Sequence, residues 1–479
     1  MSMAPLFLIF PAVAAVLAAL IPSNRWRPWL LPVAGTLHAA LTGVALVRPE
    51  PLSPTAWLAL DPLGKVILLV VSLLFLCCSY YAAGYLRSRS EQPNRVFCIC
   101  LLFFLSTASL VAWSRHLGLL WVAVEGLTLV TAPLIFFNHT QQSIEATWKY
   151  MVVGSVGIAL ALLGTFFLAY SAQHAGHGAS LMVSDLLQHA PALSKPWLHA
   201  AFVLLLVGYG TKMGLAPMHT WKPDAHGEAP CVVDALLSGG VTSCAFLALL
   251  RAYHISVAAG EVAYVCRLLL FMGLLSMATA SLFMVGQRDM KRMLAYSSVE
   301  HMGILVLGLG LGAPALFGTL LHVVNNGLTK GVLFLSAGNI HRAYHSKSTE
   351  QVSGAMQRVP LSGTLFFLGF LAITGSPPFG PFISEFLILN GAFRSGRMVV
   401  GALFLVLLLI VFIGMGATVL KIVQGRPSIA ARKTSYRDTV LSGAPILALL
   451  VLVLLIGVIL PAPLAALIND AVRYLEGQP

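Results

Sequence analysis

Charge is what this sequence has least of. Only 10% of its 479 residues are Asp, Glu, Lys or Arg, against 58% hydrophobic, whereas a soluble domain carries about 25% charged residues. That scarcity excludes a soluble globular chain and points to a polytopic membrane protein. Long polar segments are missing as well. The longest interruptions, 171–196 and 341–360, are too short for a soluble domain. No small-residue cleavage site follows the first apolar segment. Pro5 to Ile21 runs into Arg25 and Arg27 and reads as a first membrane helix, not a signal peptide. Metal-type cysteine spacing is also absent, because Cys77-Cys78 and Cys98-Ile-Cys100 fit neither zinc nor ferredoxin patterns. The cysteines read as small buried hydrophobes. With no residues set to bind a flavin, haem or cluster, any electron chemistry belongs to another chain. The net charge of +12 is not a nucleic-acid signature, since the basic residues sit in short loops between apolar spans.

What is present is a series of apolar runs. A helix needs about 20 apolar residues to cross a bilayer, and that rule predicts about fourteen spans. They are 4–22, 29–48, 62–86, 96–114, 117–137, 148–170, 197–217, 230–253, 262–286, 292–312, 314–340, 361–379 with a second piece 381–393, 398–422 and 439–461. Loops after odd-numbered spans carry most of the basic residues: Arg25 and Arg27; Arg87, Arg89 and Arg95; Lys222; Arg288, Lys291 and Arg292; Arg342, Lys347 and Arg358; Arg426, Arg432, Lys433 and Arg437. The positive-inside rule then places both termini outside the cytoplasm, as an even number of spans requires.

Two stretches break the helix rule. One is Lys212-Met-Gly-Leu-Ala-Pro217-Met-His219-Thr-Trp-Lys222-Pro-Asp-Ala-His226. A lysine at a helix centre costs roughly 2.5–3.5 kcal/mol on insertion scales and faces a partner or a water-filled cavity. Pro217 removes a backbone donor and breaks or kinks the helix, which lipid tolerates only where protein or a cavity satisfies the freed groups. The other stretch is Thr374-Gly-Ser-Pro377-Pro378-Phe-Gly-Pro-Phe-Ile-Ser-Glu385. Interrupted helices at corresponding places in two halves point to an inverted-repeat transporter with its ion site between them. Glu125 and Lys212 are 87 residues apart, and Glu300 and Glu385 are 85 apart. Spans four to eight and nine to thirteen are therefore expected to form two five-helix repeats. The implied divisions are 1–95 (three N-terminal helices), 96–255, 256–424, and 425–479 with the last helix and tail.

The residues that carry chemistry are the few charges at membrane depth. Burial drives a bare carboxylate such as Glu125 to its neutral form, and a lysine beside it restores the charge. Lys212 is the natural partner. A pair that tightens or separates makes a tunable proton carrier; the rival reading is a static ion pair holding two helices in register, and such pairs stabilise weakly. His322, Asn326 and Lys330 fall at i, i+4 and i+8, on one helix face. They form either a proton path, since histidine titrates near neutral pH, or a polar seam between helices. Glu385 follows the second break, where it would end the relay or open it to one surface. Glu300 and His301 divide evenly between relay and interfacial structure, and His219 and His226 between proton uptake and loop capping. Glu145 and Lys149 have the acid-then-base i, i+4 order of a helix pair, with Lys149 near enough to span six to join the charges. His174 and His177 read as surface residues, and no His/Cys set closes a zinc site.

The motifs Gly208-Tyr-Gly-Thr-Lys212-Met-Gly-Leu-Ala-Pro-Met-His-Thr-Trp, Pro223-Asp-Ala-His226, Lys291-Arg-Met-Leu-Ala-Tyr-Ser-Ser-Val-Glu300-His301-Met-Gly and Gly380-Pro-Phe-Ile-Ser-Glu385-Phe together resemble the antiporter-like subunits of respiratory complex I and their relatives. Within that family they are similar to the antiporter-like membrane chains of hydrogenase-4, the formate hydrogenlyase type. The resemblance spans nearly the whole chain. It implies an all-α polytopic membrane fold of fourteen helices with two inverted repeats and broken helices seven and twelve around a hydrated polar axis. It also implies proton-translocating roles for Glu125, Lys212, His322, Lys330 and Glu385. No cofactor is implied in this chain; partner subunits would carry Fe–S clusters and a Ni–Fe centre. A Mrp-type Na⁺/H⁺ antiporter subunit, a proton channel serving an inorganic-carbon-concentrating zinc enzyme, and a non-transporting structural module share the fold. Departures from the family pattern are visible. Ser243 stands where relatives often carry a helix-eight lysine, Asn326 where hydrogenase-type relatives tend to have histidine, and Lys222 where leucine is usual. Little sequence follows the last span, so the lateral helix of the largest complex I pump is not expected.

Overall fold

The computed structural model describes residues 3–48, 55–89, 91–427 and 434–477. Arg432 and Lys433, two of the expected loop cations, lie outside them. Numbering only the longer helices, the order is α1 Ala4–Leu20, α2 Leu30–Val47, α3 Pro62–Arg87, α4 Arg95–Trp113, α5 Leu117–Ile135, α6 Gln141–His174, α7 Lys195–Met213, α8 Trp221–Glu228 and α9 Cys231–Ala258. Then follow α10 Val262–Met284, α11 Met290–Leu311, α12 Ala313–Tyr344, α13 Pro360–Ile373, α14 Gly380–Arg394, α15 Met398–Val423, α16 Val440–Val458 and α17 Ala462–Leu475.

Among the described residues, ten helices are long and apolar enough to cross a membrane, and α1 and α13 are shorter apolar helices. The chain is an integral, all-α membrane protein. Neither α7 nor the 32-residue α12 is among those ten. They are the helices that carry Lys212 and the His322–Lys330 stripe, so the polar residues that mark a site also lower the apolar signal.

The centre of the molecule is made by α9, which is wholly buried, and α11, which is nearly so; α15 lies at the edge with most of its surface uncovered. Backbones meet closely where glycine faces backbone, as small residues permit in membrane helices. Any Cβ at Gly208 of α7 would come within 2.7 Å of the Gly157 carbonyl of α6, and one at Gly273 of α10 within 2.9 Å of the Gly303 carbonyl of α11. Midway along, α9 widens into a π-turn at Leu237–Val241, a feature frequent at functional sites. There Gly239 lies against Gly327 of α12.

The expected elements recur with small shifts in their ends. Beyond the spans, the structure adds α8, and α17 within the stretch expected to be tail. α17 buries Ile468, Ala471 and Leu475 against α3 and α12. One boundary moves for a physical reason. The expected seventh span runs to Pro217, but α7 stops at Met213, where Gly214 turns left-handed at φ +78°. Glycine adopts that conformation at no steric cost, so the helix ends before the proline acts. Gly375, φ +66°, follows the end of α13 in the same way.

Candidate functional site

In the first half, α5 and α7 bring together the two residues expected to pair. Lys212 Nζ lies 3.0 Å from Glu125 Oε2 and also donates to Thr128 Oγ1. Gly154 of α6 makes the space, since a Cβ there would come within 2.9 Å of Nζ. Lys212 is buried, while the Glu125 side chain keeps 20% exposure, so the pair reaches from the interior to the edge of the subunit.

The break after α7 is satisfied by side chains from α8. Trp221 Nε1 donates to the Thr211 carbonyl at 2.9 Å and Lys222 Nζ to the Met213 carbonyl at 2.7 Å. These are two of the orphan acceptors a helix C-terminus leaves. Lys222, expected among the loop cations, is instead completely buried, held inside because it caps a broken helix. Lys291, expected at the interface, is likewise buried. It bonds Asp234 Oδ2 at 2.9 Å, and His226 Nδ1 lies 3.1 Å from Asp234 Oδ1. His226 therefore belongs to a buried triad, with its Nε2 left without a hydrogen-bond partner among the described atoms. His219 is buried near the rings of Phe283 and Tyr296.

In the second half, Lys330 Nζ donates to Ser297 Oγ at 2.7 Å. His322 joins three helices: Nε2 lies 3.0 Å from His301 Nδ1 of α11, and Nδ1 lies 2.9 Å from Ser384 Oγ of α14. Glu300 Oε2 is 4.0 Å from His301 Nε2. Glu385 folds back over Gly375, where a Cβ would collide with its carboxylate. Its Oε1 has no hydrogen-bond partner among the described protein atoms. No His/Cys set closes in the sequence, yet folding gathers His301, His322 and Glu385 so that one ligand-type atom from each lies within 4.8 Å of the others.

Other expectations are placed apart from this axis. Lys149 is half-exposed and paired with Glu145 at 2.7 Å and Asp224 at 2.9 Å, a surface network that also includes Arg292. Ser243 is buried in α9 but donates to the Gly239 carbonyl at 2.6 Å. Asn326 is buried beside Lys330's helix turn without a protein hydrogen-bond partner among the described atoms. Sequence reasoning missed Asp234, and it missed the buried pair Asp61–Arg251 at 3.2 Å. The signal was there in each case: a lone charge inside an apolar run. Lys212 and Glu385, expected as counterparts, also sit differently. Lys212 precedes its break glycine by two residues, whereas Glu385 follows Gly375 by ten; the residue ten after Gly214 is Asp224.

With this geometry in place, comparison with known proteins is decisive. Residues 114–413 match the family described as NADH:quinone oxidoreductase/Mrp antiporter, TM. The chain belongs to this family. It is 35% identical over 430 residues to a hydrogenase-4 component F homolog from Methylacidiphilum infernorum, covering 87% of this chain and 88% of that protein. It is 31% identical over 414 residues to NADH-quinone oxidoreductase subunit N of Desulforudis audaxviator, covering 83% and 81%. Among solved structures, a chain of respiratory complex I from Thermus thermophilus superposes with a TM-score of 0.79 at 26% identity, covering 97% of this chain and 100% of that one. A chain of the Mrp complex from Dietzia sp. gives 0.87 at 20% identity, covering 99% and 97%, a likeness of fold.

Proposed function

We propose that this antiporter-like subunit translocates protons for a redox-driven hydrogenase-like or complex I-like assembly. The path runs along Glu125, Lys212, His322, Lys330 and Glu385. The observation that carries the reading is the Glu125–Lys212 pair, 3.0 Å apart beside a broken helix. A membrane gives little reason to keep a buried pair for stability alone. Partner membrane subunits and a peripheral arm bearing Fe–S and Ni–Fe centres supply the drive, because moving one proton against 100 mV costs about 2.3 kcal/mol. Separation of Glu125 from Lys212 releases the lysine's proton toward the interior. Lys330, the His301–His322 pair and Glu385 pass it out.

The membrane is a bacterial inner membrane, with both termini outside the cytoplasm. Residues 96–255 and 256–424 form two inverted five-helix repeats, the first three helices lie in 1–95, and 425–479 closes the chain. The common grammar of the breaks supports the repeats: a left-handed glycine followed three residues later by proline, Gly214 to Pro217 and Gly375 to Pro378.

Lys212→Ala in the assembled complex tests the path, and coupled proton transport that stays intact would sink it. Purification in mild detergent tests the assembly. Copurification of a nickel–iron hydrogenase-like subunit is the expected result. Small antiporter chains would instead favour Na⁺/H⁺ exchange of the Mrp type, with which the fold is shared. A soluble zinc protein would favour the inorganic-carbon reading.

A further inference from the structure

Between Lys212 and Lys330 the path has to cross α9. That helix packs on α7 through 242–258 and on α12 through its π-turn. Just past that turn stands Ser243, which donates its hydroxyl to the Gly239 carbonyl at 2.6 Å. A serine hydroxyl holds no extra proton near neutral pH. In the neighbouring cluster Asp234 is held by His226 and Lys291 together, so its carboxylate is already committed to two partners.

We infer that Lys222 carries protons across this gap, in place of a charged residue on α9. Resting on the relay reading above, the inference adds a residue that the reading does not name.

Lys222 is completely buried and stands at the start of α8, directly over Gly214. A Cβ at Gly214 would come within 2.6 Å of its Cδ and 3.2 Å of its Nζ. Among the described residues its side chain has one hydrogen bond, to the carbonyl of Met213, the residue next to Lys212. Among the described residues no carboxylate lies within ion-pair distance of it. The helix that carries it, α8, packs on α6 of the first half and on α11 of the second, so Lys222 stands between the two sides of the gap. The amine ends a flexible four-carbon stem with three rotatable donors, suited to turning from one neighbour to the next. The step is proton transfer alone. In net terms Lys212 loses one N–H bond as the neutral Lys222 amine gains one, and Lys222 then loses one as Lys330 gains one. No electrons move.

A purely structural Lys222 would only cap α7. Lys222→Gln separates the two roles, since an amide still donates to the Met213 carbonyl but carries no proton. Coupled proton pumping is measured in membrane vesicles containing the assembled complex, with assembly checked by copurification of partners. Lys222→Gln is expected to lower pumping roughly tenfold or more in an intact complex. Adding Ser243→Lys, which restores an amine between α7 and α12, is expected to recover it. Wild-type pumping by Lys222→Gln, with Lys212→Ala inactive in the same assay, overturns this inference and leaves the relay standing. So does a double variant no more active than Lys222→Gln alone. Wild-type pumping by Lys212→Ala removes the relay itself.

Discussion

The two broken helices use one backbone device and opposite charge arrangements. Each stops at a left-handed glycine with a proline three residues on. In the first half Lys212 sits before the break and is met by a carboxylate from another helix at 3.0 Å. In the second half Glu385 sits after the break, with imidazoles near it and no cation in ion-pair contact among the described residues. The first half is a compensated pair, which in the proposed relay works by opening. The second is a string of groups joined by short hydrogen bonds, His301 to His322 to Ser384, which in the proposed relay works by relocating a proton. Identical geometry at the break thus does not dictate identical electrostatics.

The largest effect that tests this contrast is on transport. Lys212→Ala and Glu385→Gln are each expected to abolish coupled pumping, measured as acidification per electron pair in vesicles. Stability should then tell the halves apart. Glu125→Gln leaves Lys212 charged without its carboxylate, and unpairing a buried ion costs about 3–5 kcal/mol, with partial exposure of Glu125 placing the effect at the low end. Glu385→Gln replaces a group that has no cation partner, so thermal unfolding in detergent should move little. Equal losses in both variants would erase the distinction. Asp61→Asn supplies the control: it removes the carboxylate charge that pairs with the buried Arg251 at 3.2 Å, while the amide oxygen still accepts from Gly64 N at the start of α3. That variant is expected to lower stability while pumping per assembled complex persists.

Much of this was legible in the sequence. Apolar length located the helices, and lone charges located Glu125, Lys212, His322, Lys330 and Glu385. What stayed hidden were contacts between distant elements. Lys222 and Lys291 look like positive-inside loop residues in one dimension. They are buried because one caps the end of α7 and the other pairs with Asp234, and neither partner is visible from local spacing. His301 meets His322 only through the packing of α11 on α12. Matching intervals of 87 and 85 residues pair Lys212 with Glu385, but the intervals include loops and do not report register relative to the break.

A smaller effect concerns orientation in the second half. Ser384 Oγ lies 2.9 Å from His322 Nδ1 and accepts from Asn325 Nδ2 at 3.2 Å, fixing the ring that faces His301. Ser384→Ala removes that hold without touching a titratable group. Pumping is expected to fall, with assembly unchanged. A first-half counterpart, Thr128→Val beside Lys212, should cost less, because Glu125 still holds the lysine.

The smallest expected effect sharpens the comparison most, because it concerns the residue in the same place relative to the break. Asp224 follows Gly214 by ten residues, as Glu385 follows Gly375, yet Asp224 reaches the surface and pairs with Lys149 and Arg292. Burial pushes its carboxyl up, but the hydrogen bonds and charges of Lys149 and Arg292 outweigh that and hold it below the usual carboxylate value. A depressed carboxylate contributes stability at pH above its unfolded value, about 3.9, and loses that contribution as pH falls through its folded value. Both cations are nearly half exposed, so the contribution is at most about 1 kcal/mol and shrinks with added salt. Asp224→Asn should therefore leave pumping at the wild-type rate and flatten the acid limb of the unfolding curve below about pH 4. A pumping defect as large as that of Glu385→Gln would mean that the two acids do the same work and that position relative to the break, not burial, assigns it.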